Sequence, residues 1–114
     1  MNKIKELIEI CNSIERFRIA MMLNCASDYV RAVANMEIVA ANVADLAADE
    51  FKEEREATDR VRSAAHNAFI ASVDEINKIC NAHGVPHVYT GGSARREYGD
   101  FAMELVANIF VNRH

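Results

Sequence analysis

The segment Gly91-Gly92-Ser93-Ala94-Arg95-Arg96 has the residue types that suit an anion-binding helix start. A Gly-Gly turn that enters a helix leaves backbone N–H groups free, and their dipoles favour negative charge. The forked guanidinium groups of Arg95 and Arg96 match phosphate or carboxylate, and the ring of Tyr89 can stack on a base. The segment is not a P-loop, because the Lys-Ser/Thr element and the preceding strand are missing. The alternative is an ordinary loop in which Ser93 caps the helix and the arginines pair with acidic residues.

A second polar set, Arg62-Ser63-Ala64-Ala65-His66-Asn67, lies in a segment whose apolar residues have helical spacing. Arg62 and His66 are four residues apart and therefore share one helix face. If the last helix packs on this one, the set would join the two arginines and Asp100 in one polar pocket. The alternative is that His66 is a boundary residue at the edge of the core, with no ligand to contact.

Cys80, His83 and His87 have residue types and spacing that zinc can use. Cys80 and His83 would share a helix face, and His87 would lie just beyond the helix end. A structural zinc site needs a fourth ligand, and only the distant His66 or His114 could provide it. Because Cys80 also fits the apolar stripe of its helix, the sequence favours no metal and indicates no cofactor.

Two acidic pairs, Glu50-x2-Glu53 and Glu56-x2-Asp59, resemble the ExxE and ExxD motifs of all-α nucleoside triphosphate pyrophosphohydrolases. The resemblance implies magnesium held by carboxylates from different helices. Here only two residues separate the pairs, whereas that family has a helix turnaround between them. A solvated charged face is therefore favoured, and the magnesium-dependent enzyme is a remote alternative. No spacing of Ser, His, Asp or Cys suggests nucleophilic catalysis, so the sequence does not favour an enzyme.

Composition limits the class of protein. The chain of 114 residues is 51% apolar and 26% charged, which is typical of one globular domain. Its formal net charge of −4 disfavours a general nucleic-acid-binding surface. No apolar run is long enough to cross a bilayer, and Lys5, Glu6 and Glu9 interrupt the stretch that a signal peptide would need. We therefore expect a cytoplasmic protein without membrane association, whose three cysteines are reduced.

Strong helix breakers are confined to one short loop and the first part of the helix after it, because all four glycines and the only proline lie in the range 84–99. Apolar residues at helical spacing on both sides of that loop predict an all-α bundle of four main helices. Gly84 should end the third helix as a left-handed cap, and the fourth helix should begin near Ser93. Gly99 lies inside the fourth helix, which indicates close approach by a backbone or ligand, or a tolerated weakness.

Polar segments predict the other helix boundaries. We expect the first helix to run from Ile4 to a break at residues 24–28, and the second helix to end near Phe51. The charged segment 50–58 is either a solvated helical stretch or a frayed joint before the third helix. Residues 1–114 would form one domain, in which 1–58 supply core and oligomerisation helices and 59–114 carry the candidate site. The first helix is apolar around much of its circumference, which predicts a central helix or a subunit interface.

The stretch that contains Arg62-Ser63-Ala64-Ala65-His66-Asn67, Arg95-Arg96 and Gly99-Asp100-Phe101-Ala102-Met103-Glu104 resembles short uncharacterised helical proteins from Gram-positive bacteria and their prophages. The similarity spans residues 60–113. It implies that the third helix, the loop and the last helix form the functional half, and it implies a phage or mobile-element context. It supplies no catalytic residues, because no activity comes with the group.

These features together favour a non-catalytic protein that binds or sequesters a small phosphate-bearing, nucleotide-like ligand. The candidate ligand-binding residues are Arg62, His66, Asn67, Tyr89, Gly92, Ser93, Arg95 and Arg96. The alternative is a protein-interaction module, an inhibitor or adaptor, that binds a protein partner through its first helix or its acidic 49–59 stretch. A homo-oligomer is expected in either case.

Overall fold

Residues 2–41 and 48–111 are described in the computed structural model of the chain, and they form four α-helices and no strand. The helices are α1 (Asn2–Ile10), α2 (Ser13–Ala41), α3 (Ala48–His83) and α4 (Arg95–Val111). α3 has 36 residues and is about 54 Å long at 1.5 Å per residue. α2 packs along α3, and α4 packs on both, so the prediction of an all-α bundle is confirmed.

The chain breaks between α1 and α2 at Cys11 and Asn12, within the first helix that the sequence predicted. The Asn12 side-chain oxygen accepts a hydrogen bond from the Glu15 backbone N–H at 2.9 Å. In return, the Glu15 carboxylate accepts one from the Asn12 backbone N–H at 2.9 Å. This reciprocal capping box satisfies two donors that a helix start leaves free, which is why α2 begins here.

The predicted break at residues 24–28 is wrong, because α2 runs through them without interruption. Met22, Ala26 and Tyr29 are spaced as one helix face, and all three are buried. Packing of this face against α3 and α4 outweighs the preference of Ser27 and Asp28 for a cap or turn.

Two alternatives were predicted for the segment 50–58, and the solvated helical stretch is the correct one, because α3 begins at Ala48 and continues through the segment. The Thr58 hydroxyl donates to the backbone carbonyls of Glu54 and Arg55 at 3.0 Å, so Thr58 lies inside a helix and caps nothing. The predicted boundary between the core and oligomerisation helices (1–58) and the half that carries the candidate site (59–114) therefore falls within α3. Phe51 belongs to α3 as well, and residues 42–47 of the predicted second helix lie outside the described residues.

The core follows one stripe of α3 at alternating spacings of four and three residues. Its fully buried members are Phe69, Val73, Ile76 and Cys80. The facing residues come from α2 and from α4, where Tyr98, Phe101, Ala102 and Leu105 are buried. α1 contributes Ile4 and Leu7 to the same core.

α3 ends at Gly84, as predicted, with Gly84 in the left-handed region at a φ of 67°. The backbone N–H of Gly84 donates to the carbonyl of Asn81 at 3.2 Å, and that of Val85 donates to the carbonyl of Cys80 at 3.0 Å. These two bonds form a Schellman motif. The loop that follows is held by Asn77, which donates to the Tyr89 carbonyl and accepts from the Val88 N–H.

Replacing Gly84 with alanine should lower the free energy of unfolding by about 1–2 kcal/mol, because an L-residue is strained in the left-handed conformation. An added methyl group would meet no atom within 4 Å, so backbone strain is the only source of the loss. Gly99→Ala is the matched control. Its methyl group would make an ordinary contact at 3.9 Å with the Tyr29 hydroxyl, and it removes a glycine from a helix interior. Chemical denaturation should therefore show a loss for Gly84→Ala alone, and equal losses would contradict the explanation.

Candidate anion-binding cleft

A cleft of about 510 Å³ opens where α2, α3 and α4 meet. α2 provides an apolar wall, α3 provides one arginine, and α4 provides a mixed polar and apolar wall. The lining residues are Tyr29, Val30, Val33, Met36, Glu37, Arg62, Arg95, Arg96, Gly99, Asp100 and Met103. The cleft therefore combines cationic groups with an apolar surface, which suits an organic anion better than a bare inorganic one.

Contacts of Tyr29 fix the relative position of the three helices at the cleft. Its hydroxyl donates to the backbone carbonyl of Arg95 at 3.4 Å, which ties α2 to the start of α4. Its ring lies 6.1 Å from the ring of Phe69 on α3. Gly99 lies next to this contact, and its missing side chain leaves the α4 wall open.

Arg62 is the buried charged group of the cleft, with 4% of its surface exposed. Its Nη2 donates to the Asp59 carboxylate at 3.1 Å and to the Ser63 hydroxyl at 2.8 Å, and its Nε donates to Asp59 at 3.3 Å. Its Nη1 is buried and has no hydrogen-bond partner among the described residues. A buried donor without a partner costs about 1–3 kcal/mol, so an acceptor that reached Nη1 would be bound favourably.

Arg95 and Arg96 lie exposed at the start of α4, and both line the cleft. Neither guanidinium group forms an ion pair or side-chain hydrogen bond with any residue in the described ranges. Together with Arg62, which is paired with Asp59, they place three guanidinium groups at the cleft, and Glu37 and Asp100 are the two carboxylates of its lining. Because Arg95 and Arg96 form no ion pair in the described ranges, their charges favour an anion there.

His66 lies behind the cleft between two aromatic rings. Its ring centroid is 5.2 Å from that of Tyr29 and 6.0 Å from that of Tyr98, in edge contacts. Burial lowers the pKa of His66 below its usual value, and the positive charges of Arg62 and Arg95 lower that pKa further. Its Nδ1 is buried without a partner in the described part of the chain. Both effects favour the neutral form of the His66 ring.

The structure brings Arg62, Arg95 and Arg96 together at the cleft with His66 behind them, but the other predicted site residues lie elsewhere. Asn67 is exposed on α3 and does not line the cleft. Tyr89 packs its ring against Tyr98 and Phe101 and donates its hydroxyl to the Gly92 carbonyl. These contacts are part of the loop's own structure, so Tyr89 and Gly92 do not form one site with the arginines.

The Gly-rich loop already has a carboxylate side chain of the same protein beside it. The carboxylate of Glu97, in the first turn of α4, lies beside Gly92. A carboxylate near a helix start interacts favourably with the free N–H groups there. Ser93, which is exposed in this loop, does not line the cleft either. The candidate anion site is therefore not the loop but the cleft-lining face of α4.

The predicted metal candidates do not converge. Cys80 is buried in the core, and the ring of His87 is hydrogen bonded to the Asn81 side chain at 2.7 Å. His83 instead faces Glu15 of α2, with its Nε2 3.0 Å from each carboxylate oxygen. These three residues therefore do not form the zinc set that their spacing suggested.

The four acidic residues of the pyrophosphohydrolase-like pattern all lie on α3 and are exposed. They are Glu50, Glu53, Glu56 and Asp59. No turn separates the two pairs, so they cannot converge from different helices as a magnesium site of that family requires. Asp59 pairs with Arg62 instead.

One wall of the cleft is formed by residues of α2, none of which was predicted from the sequence to belong to a site. Val30, Val33, Met36 and Glu37 of α2 line the cleft. Their spacing of three or four residues shows one helix face, but it does not say which helix that face meets. The sequence therefore indicates that these residues share a face of α2, but it does not indicate that this face lines a cleft.

Comparison with known proteins places the chain in a family. A family model matches residues 1–114, which includes the half beyond the resemblance seen in the sequence. The chain belongs to DUF3232, a family of proteins of unknown function. Searches of curated proteins and of solved structures found no match. The expectation of an uncharacterised family is thus confirmed. Within the described residues of this DUF3232 protein, no helix is long and apolar enough to span a bilayer.

The lowered pKa of His66 predicts how the stability of this DUF3232 protein depends on pH. The unfolded chain binds a proton at His66 near the usual pKa of about 6.5, while the folded chain binds it only at lower pH. The free energy of unfolding should therefore be highest above pH 6.5 and should fall as the pH drops below that value. His66→Phe keeps the ring contacts with Tyr29 and Tyr98 but cannot be protonated.

Urea denaturation between pH 5 and pH 7.5 tests this prediction. The wild-type protein should lose more stability on acidification than His66→Phe does. Equal pH dependence of the two proteins would show that His66 is not buried as a neutral ring.

Proposed function

We propose that this protein binds a small phosphate-bearing, nucleotide-like ligand in the cleft between α2, α3 and α4, without transforming it. The observation that carries the proposal is the buried side chain of Arg62, which lines the cleft and has one guanidinium nitrogen without a partner in the described part of the chain. Arginine binds phosphate through paired hydrogen bonds from its rigid fork. Arg95 and Arg96 add two cations that form no ion pair with a described carboxylate.

The apolar wall supports a ligand that carries a ring or another nonpolar group beside its phosphate. Val30, Val33 and Met36 of α2 line the cleft together with Met103 of α4. Removing apolar ligand surface from water there contributes about 25 cal/mol per Å². A free phosphate ion would leave this wall in water, whereas a nucleotide would cover it.

The resemblance to prophage proteins supports a biological setting for such binding. A binding protein without catalytic residues can act by sequestration, because it lowers the free concentration of its ligand. We propose that the ligand is a nucleotide signal and that the protein derives from a phage or mobile element of a Gram-positive bacterium. The observations on the cleft do not depend on this setting.

Replacing Arg95 and Arg96 with alanine should weaken the binding of adenosine 5′-monophosphate at least tenfold, because each charged hydrogen bond contributes about 1.5–3 kcal/mol. The free energy of unfolding should change by less than about 0.5 kcal/mol, since neither side chain has a described partner. Isothermal titration calorimetry and urea denaturation measure the two quantities.

The matched control is the double variant Arg55→Ala and Arg60→Ala, which removes the same charge from the exposed face of α3 away from the cleft. It should bind the nucleotide as the wild-type protein does, and adenosine should bind more weakly than the nucleotide. If both double variants lose affinity equally, the cleft is not the site. If Arg95→Ala with Arg96→Ala unfolds the protein, the two arginines are structural.

A second candidate function, protein interaction, is favoured by an exposed apolar stripe at the α1–α2 junction. Ile14, Phe17 and Met21 are spaced as one face of α2, and Ile10 lies at the end of α1 just before it. Between 45% and 67% of the surface of each of these four residues is exposed. An exposed run of this kind marks a surface that another protein can cover. The charged stretch 49–59 lies on α3 and offers a partner an acidic surface.

If this stripe joins copies of the chain, Ile14→Glu together with Phe17→Glu should convert an oligomer into a monomer while the helical circular dichroism remains unchanged. Burying carboxylates in a former apolar contact is unfavourable, whereas both positions are already exposed in the single chain. Sedimentation velocity at several protein concentrations measures the change. A wild-type protein that stays monomeric at high concentration would contradict self-association through this surface.

A further inference from the structure

We propose that Cys11, Glu15 and His83 bind one zinc ion where the α1–α2 junction meets the end of α3. One ligand atom from each residue lies within 4.8 Å of the other two, which is the feature that suggests a metal. The three residues come from three places in the fold: the junction, the first turn of α2 and the last turn of α3. Thiolate, carboxylate and imidazole are the ligand types of protein zinc sites.

The distances need only a small adjustment to hold the ion. His83 Nε2 already lies 3.0 Å from both oxygens of the Glu15 carboxylate. Ligand atoms of a tetrahedral zinc site with ordinary bond lengths are about 3.3–3.6 Å apart. The Cys11 sulfur, at no more than 4.8 Å from the other two ligand atoms, must therefore approach by at most about 1 Å.

The surroundings support a metal ligand set. The Glu15 carboxylate is held in place by the hydrogen bond from the Asn12 backbone N–H, and metal-binding carboxylates are commonly oriented by such second contacts. Cys11 is buried, while the side chains of Glu15 and His83 are 19% and 29% exposed. The site is thus closed on the core side and accessible to water on the other, which leaves a fourth position for a water molecule.

Charge and ligand softness select the ion. A thiolate and a carboxylate carry two negative charges, which one divalent cation balances. Sulfur and imidazole ligands favour zinc over magnesium or calcium, which take oxygen ligands. His83 follows Arg62 by 21 positions on α3, about 30 Å along the helix, so this site is independent of the anion cleft.

Cobalt(II) provides the most direct test, because it replaces zinc and reports a thiolate ligand by a sulfur-to-metal charge-transfer absorption. The untagged protein, reduced and freed of metal with a chelator, is titrated with cobalt and then with zinc. We expect one cobalt per chain with a thiolate band that one equivalent of zinc abolishes. Magnesium and calcium should not abolish the band.

Variants separate this site from other metal binding. Cys11→Ser should abolish the thiolate band, and His83→Gln should lower the zinc affinity at least tenfold. Glu15→Gln should also lower that affinity, while it keeps the capping box, since glutamine serves at this position as glutamate does. Cys25→Ser and His87→Gln, which change the same residue types outside the cluster, should bind as the wild-type protein does.

Two results would overturn the proposal. One is a cobalt complex without a thiolate band, and the other is a band that persists in Cys11→Ser. Circular dichroism of each variant without metal shows whether it is folded. If Cys11→Ser does not fold, Cys11→Ala and His83→Gln carry the test, and unchanged zinc affinity in both would equally exclude the site.

Discussion

The packing of Phe69 against aromatic rings of two other helices is the contact on which the rest of the structure depends. Its ring lies 6.1 Å from Tyr29 on α2, 6.2 Å from Tyr98 on α4 and 5.9 Å from Phe101 on α4. Aromatic pairs at these separations contribute about 0.5–1.5 kcal/mol each beyond burial. Because one side chain of α3 holds both neighbours, it determines how α2 and α4 approach each other, and the cleft is the space between them beyond this contact.

Arg62 lies on the same stripe of α3 as Phe69. The buried stripe of α3 continues from Phe69 towards its N-terminus through His66 to Arg62, so a guanidinium lies where the pattern calls for an apolar residue. A buried charge with incomplete hydrogen bonding destabilises a fold, and an apolar side chain of similar size often stabilises it. Asp59 and Ser63 offset part of this penalty, and Nη1 has no partner among the residues that the structure describes. We propose that a ligand in the cleft provides the hydrogen-bond partner that the described residues do not.

Local features could be predicted from the sequence and non-local ones could not. The cap at Gly84, the α3 stripe and the helix face shared by Arg62 and His66 all follow from spacing and from residue conformational preference. The break at Asn12 was missed because one capping box interrupts a continuous apolar pattern, and the break at 24–28 was wrong because tertiary packing outweighs the turn preference of Ser27 and Asp28. The α2 wall of the cleft and the cluster of Cys11, Glu15 and His83 depend on which helices meet, which spacing along one helix does not determine.

The most direct test of the anion cleft is the NMR spectrum of the arginine Nε–Hε groups during titration with adenosine 5′-monophosphate. These resonances report on each guanidinium separately, and they distinguish a bound phosphate from general charge screening when adenosine and added salt are compared. We predict that the signals of Arg62, Arg95 and Arg96 shift together and saturate, while those of Arg55 and Arg60 do not move. If the three cleft arginines stay unchanged at saturating nucleotide, or if all arginines shift equally, the cleft does not bind the phosphate.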